Sequence, residues 1–115
     1  MLKILTGPTA VGKSSVAIQI ARQVGAEIVS ADSMQIYRGM DVGTAKPSLE
    51  TRREIPHHLI DILDPWSASG GYSVGRYVQD AAEIVRGLES EGKGSLVVGG
   101  TALYIKALAE GLLKG

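Results

Sequence analysis

Two glycines with four residues between them, followed at once by a lysine and a serine, carry the clearest chemistry of this chain: Gly7-Pro8-Thr9-Ala10-Val11-Gly12-Lys13-Ser14. The pattern is that of a P-loop, and its surroundings suit one, with an apolar strand-like run before it and an amphipathic run after it. Each part has a task. The glycines let the backbone wrap until successive N–H groups point inward at phosphate oxygens. The start of the following helix adds partial positive charge. Lys13 brings a mobile ammonium to the same oxygens, and the Ser14 hydroxyl can complete the shell of a Mg²⁺ ion that also holds phosphate. A polyphosphate is the expected ligand of Gly7 to Ser14. ATP is the default partner of such a motif, and a kinase or ATPase the default enzyme. A motor ATPase would add an acid at the end of an apolar strand to hold Mg²⁺. Asp61 and Asp64, around Leu59-Ile60-Asp61-Ile62-Leu63, are the candidates, whereas Leu96-Val97-Val98 ends in Gly99-Gly100 with no acid. Asp61 interrupts an apolar run, so an outward position on an edge strand competes with the metal-ligand reading.

A second group of polar residues follows the next strand-like run. Ala31-Asp32-Ser33-Met34-Gln35 comes directly after Ala26 to Ser30. In an open α/β sheet, ligands sit outside the carboxyl ends of the strands, which places this segment on the rim that carries the phosphate loop. Asp32 is then a carboxylate near the bound phosphates, ionised at neutral pH and able to accept a proton. Ser33 and Gln35 suit the edge of a nucleobase. A plain turn, in which Asp32 or Ser33 bonds its own backbone, accounts for the same residues equally well. Gly99-Gly100-Thr101 forms another strand-glycine-helix junction whose hydroxyl could face the same crevice; a simple helix cap at Thr101 is the competing reading. His57 and His58 are adjacent, so on a strand their side chains diverge and cannot pinch one metal ion. Both are read as structural.

The elements that must position these residues alternate strand with helix, which predicts an α/β domain with a mostly parallel sheet and flanking helices. Leu2 to Thr6 reads as a buried strand. From Lys13 to Val24, Val16, Ile20 and Val24 recur every fourth position with Ala17 and Ala21 beside them, one face of a helix that Gly25 stops. Ala26 to Ser30 is a second strand. Residues 31 to 47 have Gly39, Gly43 and Pro47 and little periodicity, which predicts a long ordered loop, and such loops are more often functional than idle. Leu59 to Leu63 reads as a third strand. Ser73 caps a helix with Val74, Tyr77, Val78, Ala81, Val85 and Leu88 on its inner face, ended by Gly92. Ser95 to Val98 is a fourth strand, and Thr101 opens a last helix carrying Leu103, Tyr104, Ala107 and Leu108.

Composition bounds the function. The 115 residues suffice for one domain, and 44% hydrophobic with 21% charged is ordinary for a globular protein. No apolar run approaches the roughly 18 residues of a membrane span. The N-terminal run enters the phosphate motif directly, which predicts no removable signal peptide. Cysteine is absent, which excludes disulfides and thiolate zinc sites and fits a cytoplasmic location. Twelve basic residues balance twelve acidic ones. A nucleic-acid-binding domain usually has a basic excess, so an RNA substrate would require locally arranged charge or a grip outside these residues. Nothing in the sequence specifies an oligomeric state.

Taken together, GPTAVGKSSVA, ADSMQIYRGMDVGTAKP, PHHLIDILDP with the following YSVGRYVQDA, and VVGGTALYIKALAEGL resemble the tRNA dimethylallyltransferase family in order and spacing, over nearly the whole chain. The resemblance implies that residues 1–115 are the P-loop core domain of a longer transferase, an incomplete portion of the family's full length. It implies transfer of a dimethylallyl group from dimethylallyl diphosphate, held with Mg²⁺ by Gly7 to Ser14, to the exocyclic N6 of an adenosine next to the anticodon in tRNA. It also implies that Asp32 is the general base, that Lys13 and Thr101 belong to the catalytic set, and that Asp32, Ser33, Met34, Gln35 and Thr101 contact the tRNA. Family members continue past Gly115 with a helical insertion that grips the anticodon stem-loop, so this chain alone is expected to bind diphosphate weakly and to leave tRNA unmodified. Three other readings compete. A transferase acting on free adenine nucleotide would share the P-loop and Asp32. A small-molecule kinase would use Asp32 on an alcohol, and a non-catalytic phosphate-binding module would use the loop alone.

Overall fold

A computed structural model describes residues 2–6, 11–39, 46–64 and 72–113; for 2–6, 11–15 and 113 the description is of the backbone alone. Eight elements follow one another: β1 (Leu2–Thr6), α1 (Val11–Val24), β2 (Ala26–Ser30), α2 (Leu49–Glu54), β3 (His57–His58), α3 (Val74–Ser90), β4 (Gly94–Gly99) and α4 (Ala102–Leu113). The strands form one parallel sheet in the order β1-β4-β2-β3. This is the expected α/β architecture with flanking helices. Thr6 stands beside Gly99, and Ser30 beside Val98, so β1, β4 and β2 end on one rim.

Alternation along the strands divides the core. Ile28 and Leu96, neighbours in register, face α1 together with Ala26; Val29 and Val97, the next pair, face α3 and α4. Among the described side chains the α1 layer is built on Ala17 and Ala21, with Ile55 buried beside them and Ile18, Ile20 and Val98 packed against the cluster. The α3/α4 layer includes the larger side chains Tyr77, Tyr104, Val85 and Leu108. Among the described residues no helix is long and apolar enough to cross a membrane.

Most boundaries follow local chemistry. The Ser73 side chain accepts from Arg76 N at 3.1 Å, and α3 buries Tyr77, Ala81, Ala82, Val85 and Leu88, while Val74 and Val78 are only half-buried. Gly25 and Gly92 take positive φ values of 67° and 77° just past their helices, a conformation that costs a Cβ-bearing residue energy.

Three expectations need correction. The buried stripe of α1 is centred on Ala17 and Ala21, and Val16 and Val24 are 45% and 44% exposed, because the alanines let the helix come close to the sheet while the valines lie one position round the helix. Leu103 of α4 is likewise turned outward, at 61% exposure. Leu59 to Leu63 is not a strand. β3 is His57–His58, and then Leu59 and Asp61 adopt left-handed backbone with φ of 66° and 57°, which no ladder accommodates. Leu63 returns to make an isolated parallel bridge to Tyr37. Leu59 and Ile60 are buried all the same, so apolarity alone did not distinguish a strand from a buried irregular segment. α2 was not anticipated; Ser48 caps it by accepting from Thr51 N at 3.1 Å.

Candidate functional site

The rim is assembled by backbone contacts between the ends of β2 and β4. Ala31 N donates to Val98 O at 2.8 Å, and Thr101 N donates to Ala31 O at 3.1 Å. A Cβ placed on Gly99 would stand 2.2 Å from Ala31 O and 2.4 Å from its carbonyl carbon, so only glycine permits this approach. The junction after β4 is thereby pressed against the junction after β2.

Side chains complete the connection. Asp32 Oδ1 accepts from Met34 N at 2.8 Å and from Gln35 N at 3.2 Å, an Asx turn that fixes the course of the segment. Turn formation and a chemical role are compatible here, since both of these bonds fall on one carboxylate oxygen. Ser33 N donates to Thr101 Oγ1 at 3.0 Å, and Thr101 Oγ1 lies 3.4 Å from Ser33 Oγ. Thr101 does stand at the head of α4, where its carbonyl accepts from Tyr104 N at 3.0 Å and Ile105 N at 3.3 Å. Its hydroxyl is turned to Ser33. Buried Ser30 donates to Gln35 Oε1 at 3.4 Å, Ile36 is buried, and Met34 is exposed. The structure therefore brings Asp32, Ser33, Gln35 and Thr101 together on one rim.

The other sequence-derived candidates fall elsewhere. Gly7, Pro8, Thr9 and Ala10 lie outside the described residues, and Val11, Gly12, Lys13 and Ser14 form the backbone of the first turn of α1, directed from the end of β1. Asp61 is no metal ligand: its carboxylate oxygens are taken by Lys46 Nζ and by Arg52, the latter at 2.7 Å. Among the described residues no group of three His, Cys, Asp or Glu could hold a metal ion. His57 and His58 diverge as expected, His57 Nδ1 meeting Ile55 O and His58 Nε2 meeting Glu27 Oε1, each at 2.7 Å.

Sequence reasoning missed the group behind the rim, where all four tyrosines of the chain meet. Tyr72 N donates to Tyr37 Oη at 3.1 Å, and Tyr104 Oη donates to Tyr72 O at 3.3 Å, so two hydroxyls grip one residue's backbone from both sides. Tyr77 stacks on Tyr104 with centroids 4.3 Å apart. Tyr72 Oη donates to Asp80, and the Arg76 guanidinium lies 5.0 Å over the Tyr72 ring. Burial, then the neighbouring Tyr37 and Asp32, push the Tyr104 hydroxyl above its ordinary pKa, so it stays protonated and able to donate. No local pattern signals this group, since its members are brought together from residues 37, 72, 77 and 104; the buried Tyr77 hydroxyl finds no hydrogen-bond partner among the described residues.

Comparison with known proteins gives the following. The family model described as IPP transferase matches residues 35–115. A tRNA dimethylallyltransferase of Thermodesulfovibrio yellowstonii is 50% identical over 112 residues, covering 97% of this chain and 35% of that protein, and one of Geobacter metallireducens gives the same values. The chain thus spans about a third of the length of these curated relatives. Among solved structures, the full-length tRNA isopentenylpyrophosphate transferase of Bacillus halodurans superimposes with a TM-score of 0.84 at 44% identity, covering 93% of this chain and 34% of that one. A eukaryotic dimethylallyltransferase acting on tRNA superimposes with a TM-score of 0.82 at 35% identity, covering 94% of this chain and 26% of that one.

Proposed function

The chain belongs to the IPP transferase family, and on that footing we propose that the protein moves a dimethylallyl group from dimethylallyl diphosphate to N6 of an adenosine beside the anticodon of a cytoplasmic tRNA, releasing diphosphate. The observation that carries the reading is the joined rim. Asp32, Ser33 and Thr101 are held together across two strand ends, on the edge from which α1 also begins.

In this reading Gly7 to Ser14 cradle the diphosphate, with loop amides and the start of α1 facing its oxygens. Ser14 would offer one hard oxygen to a Mg²⁺ ion bound with the diphosphate, and such an ion would supply positive charge against the leaving group. Lys13 neutralises the same developing charge as the allylic C–O bond breaks. The N6 lone pair of adenine forms the new C–N bond, and Asp32 accepts the N6 proton. Because that lone pair is delocalised into the ring, removing the proton as the bond forms lowers the barrier. Ser33, Met34 and Gln35 border the adenine, and Thr101 positions Ser33. The base must leave its stack to reach this rim, which RNA loops permit at least cost.

Two measurements on the full-length protein test the proposal. Calorimetric titration is expected to show dimethylallyl diphosphate with Mg²⁺ binding in preference to ATP; tight ATP binding with no allylic diphosphate binding would remove it. Asp32→Asn is expected to leave diphosphate affinity nearly unchanged and to lower turnover by about 10²–10⁴-fold, the usual contribution of a positioned general base. Lys13→Ala is expected to weaken diphosphate binding as well as rate.

A further inference from the structure

Asp61 uses every hydrogen-bonding group it has on the segment that begins at Asp32 or on the residues that bring that segment back to the sheet. Its N–H donates to Gln35 O at 3.0 Å, and its carbonyl accepts from Arg38 Nε at 2.9 Å. One carboxylate oxygen accepts from Lys46 Nζ, and the other accepts from Arg52 at 2.7 Å. Lys46 Nζ in turn donates to Tyr37 O at 2.8 Å, and Arg52 Nε to Pro47 O at 3.1 Å. The next residues continue the seam: Ile62 N donates to Ile36 O at 2.9 Å, and Arg38 N donates to Leu63 O at 2.7 Å. Both ends of the segment therefore close on one aspartate.

The backbone at Asp61 explains how one residue reaches so far. Its φ of 57° turns the N–H and carbonyl toward Gln35 and Arg38 while the side chain points at Lys46 and Arg52. Aspartate and asparagine tolerate this left-handed conformation better than other residues with a Cβ. The Lys46 side chain is only 5% exposed, so its charge sits where an opposing carboxylate matters more than on an open surface. Burial alone would raise the Asp61 pKa, but the bonds and charges of Lys46 and Arg52 outweigh it and hold the group below the ordinary carboxylate range. It remains an anion wherever the protein works.

We propose that Asp61 is a positioning residue for the reaction: it latches residues 35–38 against Lys46 and Arg52, and so sets where Asp32, Ser33 and Gln35 meet the acceptor nucleotide. The inference rests on the prenyl-transfer reading for the identity of the acceptor, but the latch itself is a statement about this chain's own backbone. Asp61 touches neither substrate in this proposal and acts through Gln35 and Arg38.

The test uses the full-length protein and two variants. Asp61→Asn keeps the side-chain shape and tolerates the left-handed backbone but removes the charge. Lys46→Gln leaves Asp61 and Arg52 in place and removes one of the two cations that Asp61 holds, with its bond to Tyr37 O. With an anticodon stem-loop RNA as acceptor, each is expected to raise KM for the RNA at least about tenfold, with dimethylallyl diphosphate affinity unchanged. The double variant is expected to do little more than either single one, because both break one linkage. Hydrogen exchange, which needs no substrate, is expected to accelerate about tenfold at the amides of 34–38 and 61–63 and nowhere in β1, β2 or β4. Unchanged exchange at 34–38 overturns the latch. Faster exchange across the whole sheet, with diphosphate binding lost in both variants, also overturns it by making these residues general stabilisers. A wild-type protein that prenylates no RNA would sink the functional reading, while the exchange data would still decide the latch.

Discussion

The two faces of the sheet meet the same packing requirement with opposite means. On the α3/α4 face, Tyr77, Val85, Tyr104 and Leu108 lie over Val29 and Val97, and stability comes from apolar area. On the α1 face, among the described side chains, Ala17 and Ala21 lie over Ile28 and Leu96, with Ile18 and Ile20 packed beside them, and the small alanines bring the helix close to the sheet. The heavy face backs the segment carrying Asp32, through Ile36 and the tyrosines. The α1 face sets the height of the helix whose first turn is the second half of the candidate phosphate motif. Substitutions on the first face should therefore register as lost stability, and on the second as displaced geometry.

The comparison can be broken or sharpened by measurement. Leu108 is fully buried, and Leu108→Ala is expected to cost about 2–5 kcal/mol in denaturant unfolding. A cost below about 1 kcal/mol would mean that the α3/α4 face does not dominate. Ala21→Leu on the other face is expected to cost less, about 1–3 kcal/mol from overpacking. It should also weaken diphosphate binding, which Leu108→Ala should not, because it lifts α1 from the sheet.

A smaller effect separates β3 from both faces. Burial lowers the His57 pKa, with Arg52 and His58 adding to it against the bond to Ile55 O. The folded value is then below the unfolded value of about 6.5, and the unfolded chain binds more protons between the two. Stability from this group is complete above about pH 6.5 and falls as the pH drops below it. Denaturant titrations at pH 7.5 and 5.5 should show that loss in the wild type and a reduced one in His57→Gln. The smallest effect is expected at the exposed pair of Arg22 with Glu54, which joins α1 to α2 at 2.7 Å. Arg22→Ala should leave the melting temperature unchanged within error, since fully solvated pairs are screened and entropically costly.

What the sequence made legible follows the range of the interactions involved. β1, β2, β4, α1, α3 and α4 are specified by local alternation, caps and glycine stops, and their expected bounds lie close to those observed. The face of α1 was misread by one position because alanine carries little hydrophobic signal, although it decides how near the helix can come. The left-handed turns at Leu59 and Asp61 depend on partners far along the chain, which no local period encodes. The same holds for the site. That Asp32 and Thr101 share a rim follows from strand order in a parallel sheet, whereas the bond from Ser33 to Thr101 and the grip of two tyrosines on Tyr72 are tertiary facts.

Gly99 gives the rim a distinctive genetic signature. At Gly111 an added methyl would meet the movable end of Val78 at 2.9 Å, but at Gly99 it would meet the backbone of Ala31 at 2.2 Å. A backbone carbonyl held by Thr101 N, in a residue whose own N–H is tied to Val98 O, cannot rotate out of the way. Every missense codon at position 99 adds that methyl or something larger, so the position has no conservative replacement. What the position requires is the absence of an atom, and a screen that ranks positions by the chemistry of their side chains would overlook it.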